Sequence, residues 1–207
     1  MGFDSTIKHT VEDIPFIPVR LFKDYELLSV ERSEIVKTMA SSGTTGQSVS
    51  RIFLDRITAA NQVKVLVKIA SNFTGTKRHP MLIIDTKSAI KDRNLFSARG
   101  AGILGFSILG YDVTYALDED MQLDFDAVGV FCNKYKDENI LLFGFTYMVW
   151  EFFYKKLAKL GKQINLENGT LVHGGGWKKL SEQAVDNDTF RRLLKDVCKI
   201  NRVYNYY

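Results

Sequence analysis

Apolar and polar positions fall in blocks along this chain, and the blocks switch between strand-like and helix-like periods. Ile35-Val36-Lys37-Thr38-Met39 and Arg51-Ile52-Phe53-Leu54 read as two strands of a long-looped hairpin. From Asp55 to Phe73 the period lengthens. Ile57, Ala60, Val63, Leu66, Ile69 and Phe73 recur at helical spacing and predict one long helix. Met81 to Asp85 is a short buried strand, preceded by the turn Gly75 to Pro80. Asp112 to Leu117, Ala127 to Cys132 and Ile140 to Phe145 each read as a further strand. Thr146 to Leu160 predicts a helix rich in aromatics (Tyr147, Trp150, Phe153, Tyr154), ended by Gly161. Thr170 to His173 is a strand. Asp186 to Ile200 is a helix with Asp186 or Asp188 as its cap, and Val203 to Tyr207 a final strand.

Two stretches are less regular. Residues 14–26 carry Pro15 and Pro18 among Phe16, Val19, Leu21 and Phe22. Proline fixes its own backbone and discourages helix before it, which predicts an extended segment pressed on the core. Asn94 to Leu109 is apolar with glycines at 100, 102 and 105. It reads either as a tightly packed helix or as a glycine-rich ligand loop. Strands alternating with helices give the fold class: α/β, a layered mixed sheet flanked by helices. No repeat or linker divides residues 1–207, which read as a single domain.

Composition narrows the picture. With 45% hydrophobic residues, 25% charged and 3 prolines in 207, the chain has enough apolar mass for a core and is not a disordered one. Lys and Arg exceed Asp and Glu by 28 to 24, and the excess is dispersed, so nucleic acid is not an expected partner. Two cysteines, Cys132 and Cys198, make neither a disulfide framework nor a metal site and read as core residues. His9 and His79 stand alone, without ligand spacing. No secretory signal and no membrane span is expected, and the location expected is the cytoplasm.

Candidate chemistry lies in two small-residue clusters. In the run Ser41 to Ser50, six residues carry a hydroxyl, two are glycine and none is charged. Glycines let successive N–H groups converge on one anion, and small hydroxyls donate more bonds without blocking it. The same composition also makes ordinary solvated turns. The run is not the phosphate loop of nucleotide hydrolases, because no lysine follows Gly46. The second cluster, Gly174-Gly175-Gly176, follows a strand that ends in His173. Ligands of α/β sheets bind beyond the carboxyl ends of strands, and three glycines would let a flat ring rest on the backbone. A tight turn with no ligand fits these residues equally well. Trp150 and Trp177 read as pocket lining or, more ordinarily, as core.

The order SSGTTGQS, then a strand ending in HGGG about 130 residues later, then VYNYY, resembles the adenylate-forming superfamily. The segments IPFIPVRLFKDYELLS, SSGTTGQSVSRIFLDR and LVHGGGWKKL are similar to the acyl-protein synthetases of bacterial luminescence systems, with phenylacetate–CoA ligases as more distant relatives. The resemblance covers essentially the whole chain. It implies ATP- and Mg²⁺-dependent activation of a long-chain fatty acid as an acyl-adenylate. The acyl group would pass to a protein cysteine and on to an acyl reductase partner. By the same resemblance Ser41, Ser42, Gly43, Thr44, Thr45, Gly46, Gln47 and Ser48 match the loop that holds the β- and γ-phosphates. His173, Gly174, Gly175 and Gly176 match the segment beside the adenine and acyl pocket. Asn205 and Tyr207 fit the start of Asn-x-Tyr-Gly, whose tyrosine packs on adenine. Phe143, Phe145, Tyr147 and Trp150 are candidates for the acyl pocket.

The sequence departs from the pattern in two places. Val49-Ser50-Arg51 stands where many superfamily members have Pro-Lys, which makes Arg51 a candidate for the missing charge. The chain also stops at Tyr207, before the family's Mg²⁺-binding, ribose-binding and lid elements and its acyl-accepting cysteine. The expectation is therefore an amino-terminal portion of an adenylation domain, inactive alone, with an exposed strand edge that favours a homodimer. Two alternatives stay open: a non-catalytic module docking on an acyl reductase, and an acyl-CoA ligase relative.

Overall fold

The computed structural model describes residues 6–40, 49–90 and 98–206. The chain forms two units, Met1–Ala59 and Ala60–Tyr207.

In the first unit a single helical turn, α1 (Leu21–Asp24), follows the proline segment. The expectation that this segment presses on the core is corrected: Phe16 is 85% exposed and Val19 75%. Proline stiffness keeps the backbone extended as expected, but stiffness supplies no apolar partner. The hairpin is as read from the sequence. β1 (Ile35–Ala40) and β2 (Arg51–Asp55) pair antiparallel, with Ala40 opposite Arg51, Met39 opposite Ile52 and Thr38 opposite Phe53. The run 41–48 between them lies outside the described residues.

α2 (Arg56–Thr74) crosses the border of the two units, and Asp55 Oδ1 accepts from Thr58 N at 2.8 Å at its start. The second unit is built on β3 (His79–Thr86), β4 (Gly110–Leu117), β5 (Ile140–Phe145), β6 (Gly169–Gly174) and β7 (Arg202–Tyr206). They form a sheet in the order β4-β3-β5-β6-β7, parallel at every pairing. Parallel strands need crossovers that cover both faces, which is why Met81 to Ile84 and Leu141 to Phe143 are continuous apolar runs rather than alternating ones. The alternation survives as a choice of layer. Met81, Ile83, Leu141, Phe143 and Val172 face Ala70 of α2 and Ile103 and Phe106 of α3 (Ala98–Ser107). Leu82, Ile84, Leu142, Leu171 and Val203 face the opposite layer. That layer holds α4 (Phe125–Lys134), the segment Thr146 to Leu160 and α7 (Asn187–Cys198).

Thr146 to Leu160 is one helical run in three parts: α5 (Thr146–Met148), a π-helical stretch Val149–Tyr154 and α6 (Lys155–Leu160). Gly161 ends it at φ +60°, the left-handed residue that closes many helices. Asp186 caps α7, accepting from Thr189 N at 2.8 Å.

The strand read over Ala127 to Cys132 is corrected: these residues belong to α4. Asp124 Oδ1 accepts from Ala127 N at 2.9 Å, so the cap commits the backbone to helix. Val128 and Phe131 then point inward together while Val130 is 68% exposed, a helical face and not an alternating one. Of the two readings of Asn94 to Leu109, the helix holds from Ala98 onward.

Candidate functional site

The strand order has one switch point. From β3 the chain crosses through α3 to β4 on one side. It then returns through α4, on the other face of the sheet, to β5 on the far side of β3. Connections that leave two neighbouring strands in opposite directions open a crevice at their carboxyl ends, where ligands of such sheets bind. Here those ends are Asp85 and Thr86 on β3 and Phe145 on β5, with Gly174 of β6 paired to Phe145.

Thr146 fastens the glycine turn to this edge. Its hydroxyl donates to Gly174 O at 3.1 Å and lies 3.0 Å from His173 Nδ1. A hydroxyl has one hydrogen, so His173 Nδ1–H donates to Thr146 Oγ1 and the lone pair sits on Nε2. Nε2 is buried and has no partner among the described residues. Burial, with a smaller push from the Arg191 charge, lowers the imidazole to about 4, and His173 is neutral at physiological pH. Phe190 of α7 covers the ring at 4.7 Å between centroids. His173 thus acts as a spacer and hydrogen-bond relay in the turn, not as an exposed base.

Beyond it Gly175 (φ +78°) and Gly176 (φ +66°) occupy the left-handed region and are exposed. A Cβ at Gly175 would lie 2.9 Å from Phe145 Cε1, whereas one at Gly176 would meet no atom within 4 Å. The glycine turn is therefore packed on one side and open on the other. The 3₁₀ segment Lys178–Gln183 follows it.

At the end of β3 Asp85 is 1% exposed. Arg99 Nε donates to Asp85 Oδ2 at 2.6 Å, Arg99 Nη2 bonds Asp85 Oδ1, and Thr86 N donates to the same carboxylate at 2.6 Å. The bond to Asp85 raises the Arg99 guanidinium above its ordinary value. Burial pushes the phenols of Tyr115 and Tyr147 up beside this pair. The pair is absent from the sequence reading. The visible signal is an aspartate closing the apolar run Met81 to Ile84 at a strand's carboxyl end; Arg99, fourteen residues on, carries no local mark.

The structure brings together His173, Gly174, Gly175 and Gly176, with Asn205 of β7 in register with His173. Ser41 to Ser48 and Tyr207 lie outside the described residues. Arg51 is engaged with Glu26 at 3.6 Å, and Glu26 also holds Arg32. Phe143 and Phe145 line the α3 side of the sheet, while Trp150 is core in the other layer, 5.1 Å from Trp177. Burial pushes the Cys132 thiol to about 11 and the Cys198 thiol to about 12, so neither is a ready nucleophile. Among the described residues no three His, Cys, Asp or Glu side chains gather to hold a metal, and no helix is long and apolar enough to cross a membrane.

A five-stranded parallel sheet covered by helices on both faces, with a glycine turn one strand from its switch point, defines an α/β protein. The family model described as acyl-protein synthetase, LuxE, matches residues 2–206, and the chain belongs to that family. Over 194 residues it is 29% identical to a long-chain-fatty-acid–luciferin-component ligase of Vibrio harveyi, covering 89% of this chain and 48% of that protein. It is 26% identical over 204 residues to a protein of the same name from Aliivibrio fischeri, covering 94% of this chain and 51% of that one. The chain spans about half the length of these curated relatives.

Proposed function

We propose that this chain supplies part of a site that activates a long-chain fatty acid with ATP and passes it, as an acyl group, to a protein cysteine. Family membership and the printed names of the relatives support the ligase class and the fatty-acid substrate. The observation that carries the reading is the glycine turn: Gly175 and Gly176 present bare, left-handed backbone at the carboxyl edge of the sheet, held by Thr146 through Gly174.

In the first half-reaction a carboxylate oxygen attacks the α-phosphorus of ATP. The new O–P bond forms as the bond to the β-phosphate breaks and pyrophosphate leaves. In the second, a cysteine thiolate attacks the acyl carbon, a C–S bond forms and AMP leaves. Ser41, Ser42, Gly43, Thr44, Thr45, Gly46, Gln47 and Ser48 are proposed to hold the departing phosphates through hydroxyls and backbone N–H groups. His173, Gly174, Gly175, Gly176 and Tyr207 are proposed to line the adenine and acyl positions. Mg²⁺ would offset phosphate charge in such a reaction. The described residues provide no metal cluster for it, and no step is assigned to it. Cys132 and Cys198, with raised thiol pKa values, are not the accepting cysteine.

The test is fatty-acid-dependent ATP–pyrophosphate exchange, run on the chain by itself and together with the carboxyl-terminal half of the Vibrio harveyi relative. Exchange is expected with the two parts combined, and Thr44→Ala with Thr45→Ala is expected to lower it on the order of a hundredfold. No exchange from two folded parts overturns the proposal.

A further inference from the structure

Residues 177–183 join the glycine turn to α7, and three residues of one helical run hold them there. Thr146 Oγ1 donates to Gly174 O at 3.1 Å, just before the segment. The Trp150 ring meets Trp177 edge-on at 5.1 Å. Lys155 Nζ donates to Gln183 Oε1 at 2.7 Å, at the far end of the segment. In an uninterrupted α-helix Lys155, nine residues after Thr146, would lie about two and a half turns on and face away. The π-helical stretch Val149–Tyr154 changes that. Lys155 N–H donates to Trp150 O, five residues back, so each residue of the stretch turns the chain less than an α-helical one does. Lys155 therefore comes round to the side that carries Thr146 and Trp150.

The segment so held is lightly attached. Gly175 (φ +78°) and Gly176 (φ +66°) precede it in the left-handed region, and a Cβ at Gly176 would meet no atom within 4 Å. Inside it Leu180 N–H donates to Trp177 O at 2.9 Å, a local bond, and the 3₁₀ stretch kinks at Leu180, where φ is −98° and ψ 20°. Trp177 and Leu180 pack partly buried against the core, whereas Ser181, Glu182 and Gln183 are exposed. Few buried contacts and local backbone bonds mark a segment that opens before its domain unfolds. Trp177 covers Trp150, which is 7% exposed and whose indole N–H is buried without a partner among the described residues.

We propose that residues 177–183 form a strap with two states, hinged at Gly175 and Gly176 and clasped shut by the π-helical run through Trp150 and Lys155. Opening lifts Trp177 from Trp150 and lets water accept from the indole N–H, so the clasps work against an unpaired donor. The π stretch is what brings both clasps to one side. The hinge is also the bare backbone of the proposed ligand site, and a ligand resting there would bias the strap. The strap itself follows from these contacts and does not depend on what the turn binds.

The test is amide hydrogen exchange read by mass spectrometry over residues 177–184, with β6 and α7 as internal references. It compares the unmodified protein with Lys155→Met, Gln183→Leu, the two combined, and Lys155→Arg. Both side chains lie at the surface, so these changes leave the core intact. In the unmodified protein residues 177–184 are expected to exchange faster than β6. Lys155→Met and Gln183→Leu each speed that exchange about fivefold, with β6 and α7 unchanged, because a partly exposed hydrogen bond to a charged group is lost. Gln183→Leu does so without touching the Lys155–Glu151 pair of 2.9 Å. The combined variant gains little more than either alone, since one contact is removed twice. Lys155→Arg keeps a donor and stays near the unmodified rate. Trp150 and Trp177 are the two tryptophans of the chain, and acrylamide quenching of their fluorescence is expected to rise in the Met and Leu variants. Rates over 177–184 that match β6 in the unmodified protein, that no variant moves, or that rise equally in β6 and α7 overturn the strap.

Discussion

Thr146, the first residue of α5, and His173, near the end of β6, share one hydrogen bond of 3.0 Å, and the same threonine hydroxyl donates to Gly174 O at 3.1 Å. One small side chain therefore fixes the imidazole tautomer and ties the glycine turn to β5. Nothing else among the described residues holds the Gly174 carbonyl from a side chain.

Removing that hydroxyl leaves the buried His173 Nδ1–H without its partner and takes the side-chain donor from the Gly174 carbonyl. Thr146→Val, which keeps the shape, is expected to cost about 2 kcal/mol in urea unfolding, since an orphaned buried polar group costs roughly 1–3 kcal/mol. Thr146→Ser keeps the hydroxyl and is expected to lose less than about 1 kcal/mol. Equal losses in the two variants would mean the methyl contact, not the hydrogen bond, is what matters.

His173 makes stability depend on pH. Unfolded, the imidazole takes its proton near 6.5; folded, burial holds it to about 4. Between those values the unfolded chain binds the extra proton. The contribution is complete above about pH 6.5 and is lost as pH falls toward 4, at a slope of at most about 1.4 kcal/mol per pH unit. His173→Gln is expected to flatten the curve of unfolding free energy across that window. An unchanged slope in the variant would place the acid sensitivity elsewhere.

The Asp85–Arg99 pair predicts a strong asymmetry between single and double substitution. Arg99→Met strands a carboxylate that is 1% exposed, and among the described residues the backbone N–H of Thr86 is the donor left on it. The expected cost is about 3 kcal/mol, toward the low end for a buried pair because the Arg99 side chain is 27% exposed. Asp85→Leu combined with Arg99→Met removes both charges and is expected to recover most of that loss. Denaturant unfolding of the two variants decides it: a double variant as weak as the single one would show that shape, not charge, sets the cost.

Both thiols are expected to be slow. With Cys132 pushed to about 11 and Cys198 to about 12, alkylation by iodoacetamide at mildly alkaline pH should run on the order of a hundredfold slower in the folded protein than in urea. Cys198 also donates to Leu194 O at 2.9 Å, which favours the protonated thiol. Mass spectrometry after timed quenching gives the rate at each site. Fast labelling of either cysteine in the folded state would reopen it as an acyl acceptor.

Much of the fold is legible in local pattern. The runs at Met81, Ile140, Thr170 and Val203 give β3, β5, β6 and β7, and the helical period after Asp55 gives α2. Gly161 and Asp186 mark helix ends where the backbone uses them. The failures are equally specific. Ala127-Val128-Gly129-Val130-Phe131-Cys132 has strand composition, and a six-residue apolar run fits either period; the cap at Asp124 and the inward contacts of Val128 and Phe131 choose helix. The proline segment reads correctly as stiff and wrongly as covered, because burial is a property of what lies opposite.

The sequence by itself determined the alternation of strands and helices, the α/β class, the family resemblance and the glycine turn after His173. Each of these is written in neighbours or in short-range periodicity, where backbone sterics and side-chain spacing act. The tertiary structure decided the parallel order β4-β3-β5-β6-β7 and therefore the switch point. It also decided the meeting of Thr146 with His173 across twenty-seven residues, the burial of Asp85 against Arg99, and the seat of Phe145 between Gly102 and Gly175. Those contacts join residues whose separation along the chain carries no periodic mark, and which crossover goes to which side of the sheet is settled only when the two apolar layers pack.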